Sequence, residues 1–207
     1  DQNDDALLGS GTETIGNLRI QNNRTLTING GAILNAQRID VGASNAGSMT
    51  IDGAGTVVNT GSPGLADVVV GSGSTGSLTI SNNALLTTSA SLGEFGLGNA
   101  GTGNLFLNSG GTLATGGIVK ADAGSVTFNG GIFRALVSTT DVFQNFAAGE
   151  FTLGTDGGGF DTNGHDITAT NVINGSGSLQ KRGAGTLTLS GANTYSGTTY
   201  LVDGTLE

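Results

Sequence analysis

His165 is the only histidine among the 207 residues, and it lies beside Asp166 and near Asp161. A Ser–His–Asp hydrolytic site would have to use it, because a base must take the proton of the attacking hydroxyl. No Gly-x-Ser-x-Gly elbow frames a nucleophile, and serines are too frequent for proximity to select one. Asp156, Asp161 and Asp166 are the carboxylates that a paired acid/base glycosidase would use. Asp156-Gly157-Gly158-Gly159-Phe160-Asp161 approaches a calcium-binding nonapeptide, but it is out of register and stands as a single copy. Asp161-Thr162-Asn163-Gly164-His165-Asp166 lacks the sixth-position glycine and terminal glutamate of an EF-hand loop. Both segments read as turns. Among the other acids, Asp40, Asp52, Asp67, Glu94 and Asp122 fall at no common repeat position. With no cysteine there is no thiolate nucleophile or disulfide. The expectation is no catalytic residue, no metal and no cofactor.

The elements that must position these residues announce themselves as repeats. A small polar residue, an apolar residue, Thr and an apolar residue recur at Thr25-Leu26-Thr27-Ile28, Ser48-Met49-Thr50-Ile51, Ser77-Leu78-Thr79-Ile80, Ser125-Val126-Thr127-Phe128 and Thr186-Leu187-Thr188-Leu189. Asn104-Leu105-Phe106-Leu107 is a variant. The first apolar residues of the first five copies are 23, 29, 27 and 21 positions apart. Alternation of period two makes each unit a strand, and repeats of this length must stack to bury their apolar faces. Two further arms recur. One is apolar-x-apolar-Gly, at 39–42, 68–71 and 95–98; the other is Gly55-Thr56-Val57-Val58, Ala84-Leu85-Leu86-Thr87 and Gly111-Thr112-Leu113-Ala114. Three strands and three Gly/Asn/Ser-rich corners per turn predict an all-β, single-stranded parallel β-helix of about eight coils, roughly 40 Å long.

In that fold the polar positions of the recurring strand form two outer columns. One holds Thr25, Ser48, Ser77, Asn104, Ser125 and Thr186; the other holds Thr27, Thr50, Thr79, Phe106, Thr127 and Thr188. Phe106 breaks its column, as a contact point or as packing beneath a loop. An uninterrupted Thr-x-Thr face would bind ice, and Phe106 interrupts it. The pattern loosens over 137–174, where Asp141 would cap a helical turn ended by Gly149 and place Phe143 and Phe146 on one face. That segment reads as a lid against the coils or as a recognition loop, with Phe106, Phe143 and Phe146 as ligand-contact candidates.

Net charge is −9, and the seven basic residues are dispersed, with only Lys181-Arg182 adjacent. Nucleic acid and anionic lipid are therefore poor partners. Charged residues make up only 11%, so Thr, Ser, Asn and Gly carry the surface. The acidic stretch Asp1-Gln2-Asn3-Asp4-Asp5 reads as a solvated end, and the repeat stopping at Leu206-Glu207 reads as an excised piece of something longer.

Residues 175–199, GSGSLQKRGAGTLTLSGANTYSGTT, with Val202-Asp203-Gly204-Thr205-Leu206, resemble the passenger-associated repeat of bacterial autotransporters. Asp161-Thr162-Asn163-Gly164-His165 and Phe128-Asn129-Gly130-Gly131 are similar to phrases of the same family. The likeness is strong over 124–207, looser over 39–115 and weak over 1–23. It implies one right-handed β-helical passenger fragment, with regular coils over 1–136, a less regular coil with an insertion over 137–174, and the repeat over 175–207. It further implies export through the periplasm and an outer-membrane barrel, lying outside this fragment, to the surface of a Gram-negative bacterium, or secretion after cleavage. The implied role is adhesion, aggregation or biofilm formation, toward a host surface or matrix component or a second cell's copy. Gly185, Leu187, Leu189, Gly191, Asn193, Tyr195, Gly197, Gly204 and Leu206 are the motif positions implied in secretion and folding. The alternative is a carbohydrate-active β-helix, or a polysaccharide-binding module, using Asp156, Asp161 or Asp166.

Overall fold

The computed structural model describes residues 6–61, 66–91 and 93–207, so the acidic start lies outside the described residues. Among the described residues there is no helix. Every named strand pair is parallel, and each partner lies one repeat away in sequence, so the chain winds as a solenoid consistent with a right-handed parallel β-helix. The first face stacks Ala6–Leu8, Arg24–Ile28, Gly47–Asp52, Thr75–Ser81, Thr102–Asn108, Ala123–Asn129, Phe151–Leu153 and Ile173–Gly175. The second face runs from 12–15 through Val57–Thr60 and Thr112–Thr115 to Leu179–Arg182 and Thr199–Leu201. The third runs from 17–20 through Val68–Val70 and Ile118–Lys120 to Phe143–Gln144, and resumes as Ile167–Ala169, Thr186–Leu189 and Thr205–Leu206. In the first two coils a single long strand, Thr12–Ile20 and then Ile33–Val41, serves both the second and third faces. The described residues make about nine turns, one more than the repeat spacing suggests.

Alternation explains the core. Leu26, Met49, Leu78, Leu105, Val126, Phe151 and Ile173 are register partners on the first face. Val58, Leu86, Leu113, Phe133 and Phe160 stack in the same way on the second. Each coil thus continues one dry interior. Corners need backbone that turns sharply. The glycines after the early third-face strands, Gly42, Gly71 and Gly98, have φ of 75°, 83° and 67°. At Gly98 a β-carbon would meet the Ala123 carbonyl oxygen at 2.0 Å, so the corner closes only without one.

Two sequence expectations fail here. Thr186 and Thr188 do not extend the first-face columns, because Thr186–Leu189 lies on the third face and pairs with Ile167–Ala169. The first-face place in the following coil belongs to 194–196, whose Thr194 and Ser196 amides donate to Ile173 and Gly175. Alternation encodes which side of a strand is buried, but not which face of the coil it occupies. Likewise, 141–149 forms no helical turn. Phe143–Gln144 is a strand paired with Ile118–Lys120. The Phe143 ring sits 4.7 Å from Phe151 and 5.4 Å from Phe133, centroid to centroid. With Phe128 and Phe160 these rings fill the interior at this level of the solenoid. Burying that ring outweighs the few backbone bonds of an isolated turn.

Candidate functional site

The last two coils, from 175 onward, are built by the residues that sequence singled out. Leu187 is fully buried, stacked on Ile167 below and Leu206 above. Leu189, Tyr195 and Leu206 are half-buried against the same core. The Tyr195 hydroxyl bonds to the Thr199 hydroxyl at 2.7 Å. Asn193 Oδ1 accepts the Ile173 amide at 2.8 Å, tying the final coil to the one beneath. The motif glycines mark places where coils touch backbone to backbone. A β-carbon at Gly191 would meet the Asn171 carbonyl oxygen at 2.0 Å, and one at Gly197 would meet that of Gly177 at 2.2 Å. Gly185, at φ of 100°, packs in the same way on His165.

Sequence reading missed the centre of this region. Lys181 continues the buried column of Phe133 and Phe160, pairs in register with Leu201, and is fully buried. Its Nζ donates to the carbonyl oxygens of Arg182 at 3.0 Å, Gly183 at 2.6 Å and Asp203 at 2.9 Å. Burial pushes the ammonium below its usual range, and the charges of Asp203 and Asp161 pull it partly back. The signal was available: on Leu179–Arg182, Leu179 and Lys181 share a parity and therefore a side. Thr162, also fully buried, sets its hydroxyl 2.7 Å from the Ala184 carbonyl oxygen at the same corner.

The carboxylates of the enzymatic alternative lie on one coil, Asp156 in the corner before Gly158–Asp161 and Asp161 and Asp166 at the two ends of the corner after it. Asp156 accepts from Asn129 at 3.1 Å. Asp161 accepts from the Arg134 guanidinium at 2.8 Å and from the Asn163 amide at 2.9 Å. Asp166 accepts from the Thr186 amide at 2.7 Å. Each group holds the corner in shape. Among the described residues the His165 ring makes no hydrogen bond to a serine or carboxylate, and no three His, Cys, Asp or Glu side chains are placed to hold a metal. A shallow groove of about 600 Å³ on the third face is lined by hydroxyls of Ser138, Thr139, Thr168, Thr186 and Thr188, with Asp166 at its wall.

The scattered acids need a correction. Asp67 and Glu94 immediately precede the register partners Val68 and Phe95, so they occupy one repeat position after all. Unequal corner lengths hid the match in the sequence. Asp67 is fully buried and accepts from the Ser89 amide and hydroxyl at 2.7 and 2.8 Å. Glu94 is 8% exposed, and its Oε2 has no hydrogen-bond partner. Burial first, and the Asp67 charge second, raise the Glu94 carboxyl above its ordinary value; a bond from the Asp67 amide works against them.

Of the proposed contact residues, Phe143 is fully buried and Phe146 is 9% exposed, so both rings belong to the core and are unavailable to a ligand. Phe106 is half-buried and stands on the solvent side of its strand, between Thr79 and Thr127. The columns around it are laddered: Thr25 bonds to Ser48 at 3.0 Å, Ser125 to Asn104 at 2.9 Å and Thr152 to Asn174 at 2.9 Å.

Comparison with known proteins finds matches in sequence. Residues 179–207 match the model of the passenger-associated-transport-repeat. The chain is 33% identical over 199 residues, 96% of its length, to the adhesin BmaC autotransporter of Brucella suis biovar 1 (strain 1330). It spans 4% of that relative's length. No solved structure matches the chain.

Proposed function

The transport-repeat match and the likeness to an autotransporter adhesin support an autotransporter passenger, and we propose that this chain is a non-enzymatic stretch of its surface rod. The final coils aid folding on the outer surface, and the laddered first face presents contacts to a host surface, to matrix or to a neighbouring cell. The observation that carries the reading is the single interior running from the first coils into the matched repeat, ending on Leu187 and Leu206. A coil that emerges from a barrel finds a finished template beneath it. Burying each large apolar side chain yields roughly 1.5–3 kcal/mol, so each completed coil opposes backsliding. Export then needs no other energy source at the surface than folding itself.

The test is a double substitution, Leu187→Asp with Leu189→Asp, in the full-length protein. Surface display measured by antibody labelling of intact cells should fall at least tenfold while the periplasmic level of the chain rises. Normal display would refute the reading. For the contact role, Phe106→Ala on displayed protein should lower cell or matrix attachment without changing the amount displayed; unchanged attachment removes Phe106 from the contact surface.

A further inference from the structure

The inward register of Phe133 and Phe160 is continued by a fully buried lysine, and the reason lies in the coil above. An ammonium has three hydrogens to donate and no lone pair to satisfy. At Lys181 the three acceptors are the Arg182, Gly183 and Asp203 carbonyl oxygens. Two come from the residue's own corner, and the third comes from the next coil, 22 positions later. The corner that supplies it is closed tightly over the ammonium. A β-carbon at Gly204 would lie 2.6 Å from Lys181 Nζ and 2.5 Å from the carbonyl oxygens of both Gly183 and Gly185. Neighbouring bonds lock the same corner: the Val202 amide donates to Lys181 and the Thr205 amide to Gly185.

We propose that Lys181 is a latch that makes docking of the final described coil all-or-none with the coil beneath. Before the 202–205 corner arrives, the ammonium faces water with two acceptors and pays no burial cost. Once the corner docks, water is excluded and the Asp203 carbonyl replaces it. An intermediate docking state, with water displaced but the third acceptor not in place, leaves a buried charge unsatisfied and is strongly disfavoured. The corner therefore samples only a free and a fully seated state. An apolar residue at 181 would bury surface gradually and would tolerate a partly seated coil. Where the folding-driven export reading holds, the latch acts in the matched repeat and fixes the completed coil against slipping back.

The test uses hydrogen exchange on the purified chain, so it does not depend on export. Lys181→Met keeps the length of the side chain and its apolar stem but removes the donors. Exchange at the Val202 and Thr205 amides should accelerate at least tenfold in this variant, while amides of Thr102–Asn108 and Ala123–Asn129 keep their wild-type rates. Unchanged or slower exchange at Val202 and Thr205 would overturn the latch, because it would make Lys181 a space filler that methionine improves upon. If the variant does not fold, nitrogen-15 spectra of the wild type decide. The Lys181 ammonium protons should exchange at least a hundredfold more slowly than those of free lysine, and exchange at the free rate overturns the proposal. Loss of the Val202 and Thr205 protection alongside normal display of the Leu187/Leu189 variant would keep the latch and discard the export reading.

Discussion

Glu94 and Lys181 are both charged residues placed inside a narrow apolar rod, and their surroundings treat them differently. Lys181 has a full set of acceptors, whereas Glu94 keeps an oxygen with no partner and sits above another carboxylate. Burial, and then the Asp67 charge, hold the Glu94 carboxyl above the ordinary glutamate range in the folded chain. The folded state therefore holds the proton to higher pH than the unfolded state does. Its contribution to stability is full below about 4.5 and is lost as pH rises through the raised folded value. Melting followed by circular dichroism should show the wild type gaining stability on mild acidification through that window. Glu94→Gln should flatten this dependence and raise the midpoint at neutral pH by a few degrees, about 1 kcal/mol of relief. A variant less stable than wild type at neutral pH would show that the charged form is the one the corner needs.

At the scale of elements, the strand Phe143–Gln144 and the corner glycines decide how coils of different length share one interior. Phe143, between Gly131–Ala135 and Phe151–Leu153 in sequence, packs its ring on Phe133 and Phe151. Phe143→Ala should cost about 3–5 kcal/mol, read as a lowered denaturation midpoint, because the surrounding rings cannot collapse into the void. Phe106→Ala, outside the core, should stay within about 0.5 kcal/mol of wild type in the same measurement. Gly191→Ala belongs with the damaging set. Its β-carbon would strike the Asn171 carbonyl oxygen at 2.0 Å, and backbone in a stacked coil has little room to retreat. Loss of protection at the Ser190 and Thr194 amides in hydrogen exchange would register the lifted coil.

Taken whole, the chain is quasi-one-dimensional: each coil touches mainly the ones above and below. Stability should then vary along the axis rather than uniformly. Exchange should be slowest in Ala123–Asn129 and Phe151–Leu153, where the phenylalanines pack, and fastest in Ala6–Leu8 and Thr199–Leu201. Leu201, the register partner of the buried Lys181, is 54% exposed. Uniform protection from end to end would mean that the solenoid unfolds as one unit.

How much of this could be read beforehand follows from what each signal encodes. Strand alternation fixed which side of Ser77-Leu78-Thr79-Ile80 is buried, and the recurrence of three arms specified a coil, because no other stacking hides those side chains. The repeat at 175–207 was legible through its resemblance to a known motif, and its glycines and leucines answer to contacts with the coil directly beneath. Tertiary structure alone decided the face on which Thr186–Leu189 lands, the stacking of Glu94 on Asp67 and the burial of Phe143. All depend on the lengths of corners between strands. Local pattern sets a side chain's direction relative to its own strand, but the sum of the turns before it sets which neighbour it meets.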